Sequence, residues 1–198
     1  MRPDNTTFKS LLASLAMAVI TITAAPALEA TETTEVCAGC HGPKGHSAVP
    51  DNPILAAQHA AYLATALQEY INGARDNAIM KTMAQRLSAS DIEEIAAYYA
   101  AQPPHQSPAP ATGDAIRGEA KTAACVACHG TQGHSVNPMF PNLAGQHAAY
   151  LSNALRAYRS GSRTANPMLT LIAETLSDQD IEDIAAFYAA QPALAPQQ

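Results

Sequence analysis

The sequence predicts an all-α chain built from two tandem copies of one small domain. Three observations predict it. The first is an internal repeat at an offset of 88 residues. Cys40-His41-Gly42 recurs as Cys128-His129-Gly130, Gly45-His46-Ser47 as Gly133-His134-Ser135, and the stretch from Leu55 to Leu63 as Leu143 to Leu151. Two copies are too few for a solenoid, so the repeat marks a duplicated domain. The second is apolar spacing with a helical period and no alternating run that would suggest a strand. The third is that all four cysteines fall in one pentapeptide that occurs twice, Cys37-Ala38-Gly39-Cys40-His41 and Cys125-Val126-Ala127-Cys128-His129.

Taken in order, the chain opens on Arg2 and Lys9, an apolar run from Leu11 to Ile22, and small residues from Ala25 to Ala30. This is the layout of a secretory signal peptide over residues 1–30, with cleavage after Ala27 or Ala30. The run falls short of the ~20 apolar residues a spanning helix needs. The mature chain is expected in the periplasm, soluble or loosely membrane-associated. The first domain, residues 31–103, has few residues before Cys37, so its first helix is short or missing. A Gly- and Pro-rich loop follows, then a helix that puts Tyr62, Leu63, Leu67, Tyr70 and Ile71 on one face. Ser88 to Asp91 has the pattern of a capping box, and Ile92, Ile95, Ala96 and Tyr99 form the core stripe of the helix behind it. Residues 104–112 are Pro-rich and predict a semi-rigid spacer, with His105 solvated. The second domain, residues 113–198, opens on a helix-compatible stretch from Gly113 to Lys121. It ends with a second box at Ser177 to Asp180 and the stripe Ile181, Ile184, Ala185 and Tyr188. The tail aligns at an offset of 89 rather than 88, so the copies differ in length by one residue between Arg75 and Leu87.

C-x-x-C-H is the attachment signature of a c-type haem. Two thiols three positions apart can each add to one porphyrin vinyl group, and the next residue then offers an imidazole to the iron. A zinc site would not call for a His after each pair, and a redox dithiol would sit near a βαβ pattern, which is absent. Cys37, Cys40, Cys125 and Cys128 are therefore expected to anchor two haem c groups, with His41 and His129 as proximal iron ligands. Two small domains with 5% aromatic residues and no Trp fit cores built on a porphyrin plate. The formal net charge of −6 argues against nucleic-acid binding, which needs a basic face.

The order of helix, C-x-x-C-H, loop, helix, methionine and final helix is that of class I cytochromes c. More specifically, the chain resembles the dihaem cytochrome c4 family. The resemblance is carried by the two C-x-x-C-H-G motifs, the P-x-L-A-G-Q-x-x-Y-L stretch from Pro141 to Leu151, and the terminal L-S-x-x-D-I-x-x-I-A-A-Y/F-Y. The first copy departs from it with Ala57 in place of Gly. The resemblance implies two class I domains, each wrapped round one covalent haem, that meet at a pseudo-twofold interface. It also implies a Met on the distal side of each iron, where a weak thioether donor raises the potential. The family places that Met seven residues before the Leu of the L-S cap, which selects Met80 over Met83. In the second copy Met168 lies eight before Leu176, whereas Arg75 to Met80 and Arg163 to Met168 are both five. Met168 is thus preferred, with Met139 as the rival. His46 and His134, or His59 and His147, are alternative axial pairs, although His59 and His147 stand at helix starts and are expected to bond locally. Pro53 and Pro141 are suited to offer a carbonyl to the Nδ1–H of each proximal His.

The function expected is that of a periplasmic dihaem electron carrier, not an enzyme, that holds two six-coordinate irons. By the resemblance its partners are a cytochrome bc complex as donor and a cbb3-type or related haem-copper oxidase as acceptor. The alternative is the cytochrome subunit of a flavocytochrome c sulfide dehydrogenase. A dihaem peroxidase would need one displaceable sixth ligand. Arg156, Arg159 and Arg163 lie along one helix and the turn after it. They form either a solvated face or a basic patch that steers docking.

Overall fold

The computed structural model describes residues 30–194. Apart from Ala30, the export segment expected over residues 1–30 lies outside them. The first domain contains α1 (Glu32–His41), α2 (Ala60–Asn72), α3 (Ala78–Ala84) and α4 (Ala89–Ala100). The second contains α5 (Ala115–Glu119), α6 (Ala123–His129), α7 (Ala148–Ser160), α8 (Pro167–Glu174) and α9 (Asp178–Ala190). No helix among the described residues is long and apolar enough to cross a membrane.

Each C-x-x-C-H motif closes a helix. α1 and α6 end on His41 and His129, and the chain leaves through Gly42 at φ 76° and Gly130 at φ 74°. A Cβ there would lie 2.2 Å from the His46 carbonyl oxygen and 2.5 Å from that of His134. Glycine is thus required after each motif by both backbone angle and space. The two capping boxes form as the sequence predicts. Ser88 and Asp91 exchange side-chain-to-backbone bonds at the start of α4, and Ser177 and Asp180 do the same for α9.

The apolar stripes pack as two separate cores. Leu63 of α2 meets Ile95, Ala96, Tyr98 and Tyr99 of α4, and Leu151 of α7 meets Ile184, Ala185, Phe187 and Tyr188 of α9. Cys37 borders the first core and Cys125 the second. α5 has no counterpart in the first domain among the described residues. It crosses α9 so closely that a Cβ on Gly118 would sit 1.9 Å from the Asp183 carbonyl oxygen. The fully buried Asp183 carboxylate takes bonds from Arg117, Lys121, Gln179 and the Asp114 N–H. The Arg117 bonds come first in holding it well below the usual carboxylate range.

The domains are joined by bonds that the duplication repeats. Gln146 receives the Ile54 N–H at 2.9 Å and donates to the Ile54 carbonyl at 2.9 Å. Gln58 receives the Asn142 N–H at 2.8 Å and donates to the Asn142 carbonyl at 2.9 Å. Ile54 and Asn142 are 88 residues apart, as are Gln58 and Gln146. Each glutamine therefore brackets the same backbone position of the other domain, as a neighbouring strand would. At the far side, Asp76 N–H donates to the Ser162 carbonyl and Thr164 N–H to the Ala74 carbonyl, forming a single antiparallel bridge at Arg75 and Arg163.

The stretch between the domains is more than a spacer. Gln106 donates to the Ala189 carbonyl and accepts from the Ala193 N–H, and the Ser107 N–H donates to the Gly145 carbonyl. His105 is not simply solvated, since its ring stacks on His46 with centroids 4.4 Å apart.

Candidate functional site

The two motif helices present the same set of groups. All four cysteines are unpaired thiols. Burial pushes the Cys37 and Cys125 thiols up, which is the reverse of what a thiolate nucleophile or redox dithiol needs. No three His, Cys, Asp or Glu residues gather as a metal cage among the described residues, as a shared zinc site would require. The His41 Nδ1–H donates to the Pro53 carbonyl at 3.0 Å, and the His129 Nδ1–H to the Pro141 carbonyl at 2.9 Å. Burial holds both imidazoles below the ordinary histidine range, so each ring is neutral with Nε2 left to coordinate. The Phe140 ring lies edge-on to His129, with centroids 6.1 Å apart.

The expected distal residues are placed differently in the two copies. Met80 is half-buried at the third position of α3, where its N–H donates to the Asn77 side chain. Asn166 caps α8 in the same way, through the N–H groups of Met168 and Leu169. The caps are 89 residues apart, so the extra residue lies between Arg163 and Asn166, upstream of the helix. From the cap onward α8 follows α3 at that offset, and Ala84 and Ala173 are both fully buried. Leu169 therefore stands where Met80 does. Met168 stands where Ile79 does, and the two are 64% and 70% exposed. The forward count from Arg163 reaches Met168, one helical position short of the place equivalent to Met80, because it crosses the inserted residue. Met83 lies one turn beyond Met80 in α3. Met139 is 52% exposed, in the loop that supplies the Pro141 carbonyl to His129.

The histidines of the two alternative axial pairs spend Nε2 on carbonyls: His46 on Pro103 and His134 on Pro192, His59 on Ser135 and His147 on Ser47. His59 and His147 do not bond locally, as the sequence suggests; both reach into the other domain. The basic stripe also resolves differently. Arg156 pairs with Glu182 and Arg159 with Asp178, while Arg163 is buried. It is neither a free docking patch nor a fully solvated face.

The sequence gives no hint of one further cluster between the domains. The Tyr62 hydroxyl accepts from Arg75 at 3.3 Å and Arg163 at 3.4 Å. Burial alone would raise the phenol, but the two guanidiniums outweigh it and hold it at about 8. Arg75 also pairs with Glu69, whereas the buried Arg163 Nε finds no acceptor among the described residues. Unpaired thiols beside a neutral imidazole, and an orphaned buried cationic donor between the domains, fit a covalent haem whose rim carries carboxylates.

The family model for cytochrome c matches residues 30–101 and 115–189. The cytochrome c4 of Acidithiobacillus ferrooxidans is 30% identical in sequence and superposes with a TM-score of 0.71, over 79% of this chain and 99% of that one. The chain belongs to the cytochrome c4 family. It is a dihaem electron carrier with two covalently attached haem c groups. It is also 37% identical to a protein of Thiomonas intermedia (strain K12) named thiosulfate dehydrogenase electron acceptor, across 71% of this chain and 70% of the relative. The thiosulfate dehydrogenase of Marichromatium purpuratum is 34% identical with a TM-score of 0.72, over 79% of this chain and 36% of that one.

Proposed function

We propose that this cytochrome works in the periplasm, after removal of its signal peptide, as a two-electron shuttle between respiratory complexes. Haem supplies one-electron chemistry at iron. Cys37, Cys40, Cys125 and Cys128 fix two such groups to the chain, and His41 and His129 hold the proximal positions. Met80 is the proposed distal ligand in the first domain. Met168 is the proposed distal partner in the second, as a weak and displaceable donor. The observation that carries this reading is the imidazole-to-carbonyl bond made identically by His41 with Pro53 and His129 with Pro141. Fixing each ring in advance limits rearrangement when the charge at its site changes. The Gln58 and Gln146 brackets supply a fixed spacing between the two sites.

For partners, we propose a cytochrome bc complex as donor and a cbb3-type or related haem-copper oxidase as acceptor. The Thiomonas intermedia relative favours a second reading, in which the donor is a thiosulfate-oxidising dehydrogenase. Stopped-flow reduction of the holoprotein by each donor, followed by mixing with the oxidase, separates them. Fast reduction by the bc complex with fast reoxidation by the oxidase supports the first reading. Reduction by thiosulfate with its dehydrogenase, and not by the bc complex, supports the second. Slow exchange with both donors and with the oxidase would overturn the shuttle.

A further inference from the structure

The distal walls of the two sites are built from one helix in two registers. In α3 the third residue after the Asn77 cap is Met80; in α8 the third residue after the Asn166 cap is Leu169. The agreement does not rest on the caps alone. Ala84 and Ala173 are both fully buried at the same helical depth, Met80 and Leu169 are both half-buried, and Ile79 and Met168 are both largely exposed. One position on an α-helix turns a side chain by about 100°. Met168 thus leaves its helix about 100° away from the direction that Met80 takes from its own. Leu169, which fills the place equivalent to Met80, has no donor atom. Pro167 adds to the constraint. It occupies the first position of α8, and both following N–H groups are tied to Asn166, which fixes the backbone of Met168 in this register.

We infer that the second domain is a binding site for small diatomic π-acceptor ligands of the carbon monoxide and nitric oxide class, while the first is closed to them. This rests on the dihaem reading. Entry at a haem is decided by the distal residue and by steric access. In the first domain a half-buried thioether occupies the place; in the second an aliphatic side chain does, and the nearest thioether, Met168, must reach round from the neighbouring helical position, which makes it a weak and displaceable donor. The duplication therefore yields one site closed by a half-buried thioether and one held by Leu169 and a displaceable Met168.

The test is carbon monoxide binding to the reduced holoprotein, read by the Soret difference spectrum, with haem content measured first by pyridine haemochrome. The wild type should bind one carbon monoxide per chain. Met168→Leu combined with Leu169→Met moves the thioether to the third helical position and should abolish that binding. The swap should also strengthen the near-infrared band of ferric iron–Met ligation. Met80→Ala should bind two per chain, which shows that carbon monoxide can reach both domains. No binding by the wild type alongside binding by Met80→Ala would overturn the inference, as would two bound by the wild type. One haem per chain would instead sink the dihaem reading on which the inference stands.

Discussion

The Nε2 atom of His59 lies 2.9 Å from the carbonyl oxygen of Ser135, across the boundary between the two domains. His147 repeats the bond on Ser47 at 3.0 Å. Both carbonyls belong to the loops that follow the C-x-x-C-H motifs. Each domain therefore braces the haem-attachment loop of the other, which couples the folding of one site to the presence of its twin.

That coupling predicts the cost of cutting one bracket. Gln146→Ala leaves the N–H and carbonyl of buried Ile54 without partners, which costs about 1–3 kcal/mol. Denaturant unfolding of the holoprotein should show the loss. It should also broaden or split the transition, because the domains no longer unfold as one. A single transition with an unchanged midpoint would show that the brackets do not hold the domains together.

Ala57 predicts a gain. Its φ is 56°, in the left-handed region, where the second copy has Gly145 at φ 70°. Both N–H groups donate to a tyrosine carbonyl, Tyr99 or Tyr188, so the conformation is imposed by the fold. A residue with a Cβ loses about 1–2 kcal/mol there, of which glycine returns part through its freedom in the unfolded chain. Ala57→Gly should stabilise the first domain by about 0.5–1 kcal/mol, read as a higher denaturant midpoint. Gly145→Ala should do the opposite, because its Cβ would lie 2.7 Å from that of Ala193.

The docking of α5 predicts an acid dependence larger in the second domain than in the first, where bonds from Ser88 lower Asp91. Arg117, the Asp114 N–H and Lys121 hold the Asp183 carboxyl well below the usual range, and Lys121 and Ser177 hold Asp180 at about 2. Both groups have folded values depressed below their unfolded values near ~3.9. Their stabilisation is therefore complete above that pH and is lost as pH falls toward and through the folded values. Stability of the second domain should fall steeply below about pH 4. Asp183→Asn should lower stability at neutral pH and flatten this acid limb. Glu94, at the matching position of the first domain, is exposed, and Glu94→Gln should leave the profile unchanged. Circular dichroism during acid titration of the three proteins decides it.

Most of the helical frame was legible in the sequence because its causes are local. Apolar spacing marked α2, α4 and α9, the repeat carried α2 over to α7, and the Ser–Asp boxes marked two helix starts. The carbonyl partners of His41 and His129 followed from prolines at equivalent positions. What failed to show was whatever depends on the domains meeting. Gln58, Gln146, His59 and His147 were visible as repeats, but duplication alone explains a repeat, so nothing distinguished interface residues from inherited ones. Arg163 looked like one of a row of surface cations because burial between domains has no local pattern. The single inserted residue could be confined between Arg75 and Leu87 but not located. Only the Asn77 and Asn166 caps fix it ahead of α8, and with it the side of the helix on which Met168 falls.

The most direct test of the account is the number of electrons the holoprotein takes up. Anaerobic coulometric reduction, followed at the haem α-band, counts them against protein concentration. Two electrons per chain, with absorbance rising over both equivalents, is the predicted result. One electron per chain, with the second motif silent, would contradict it.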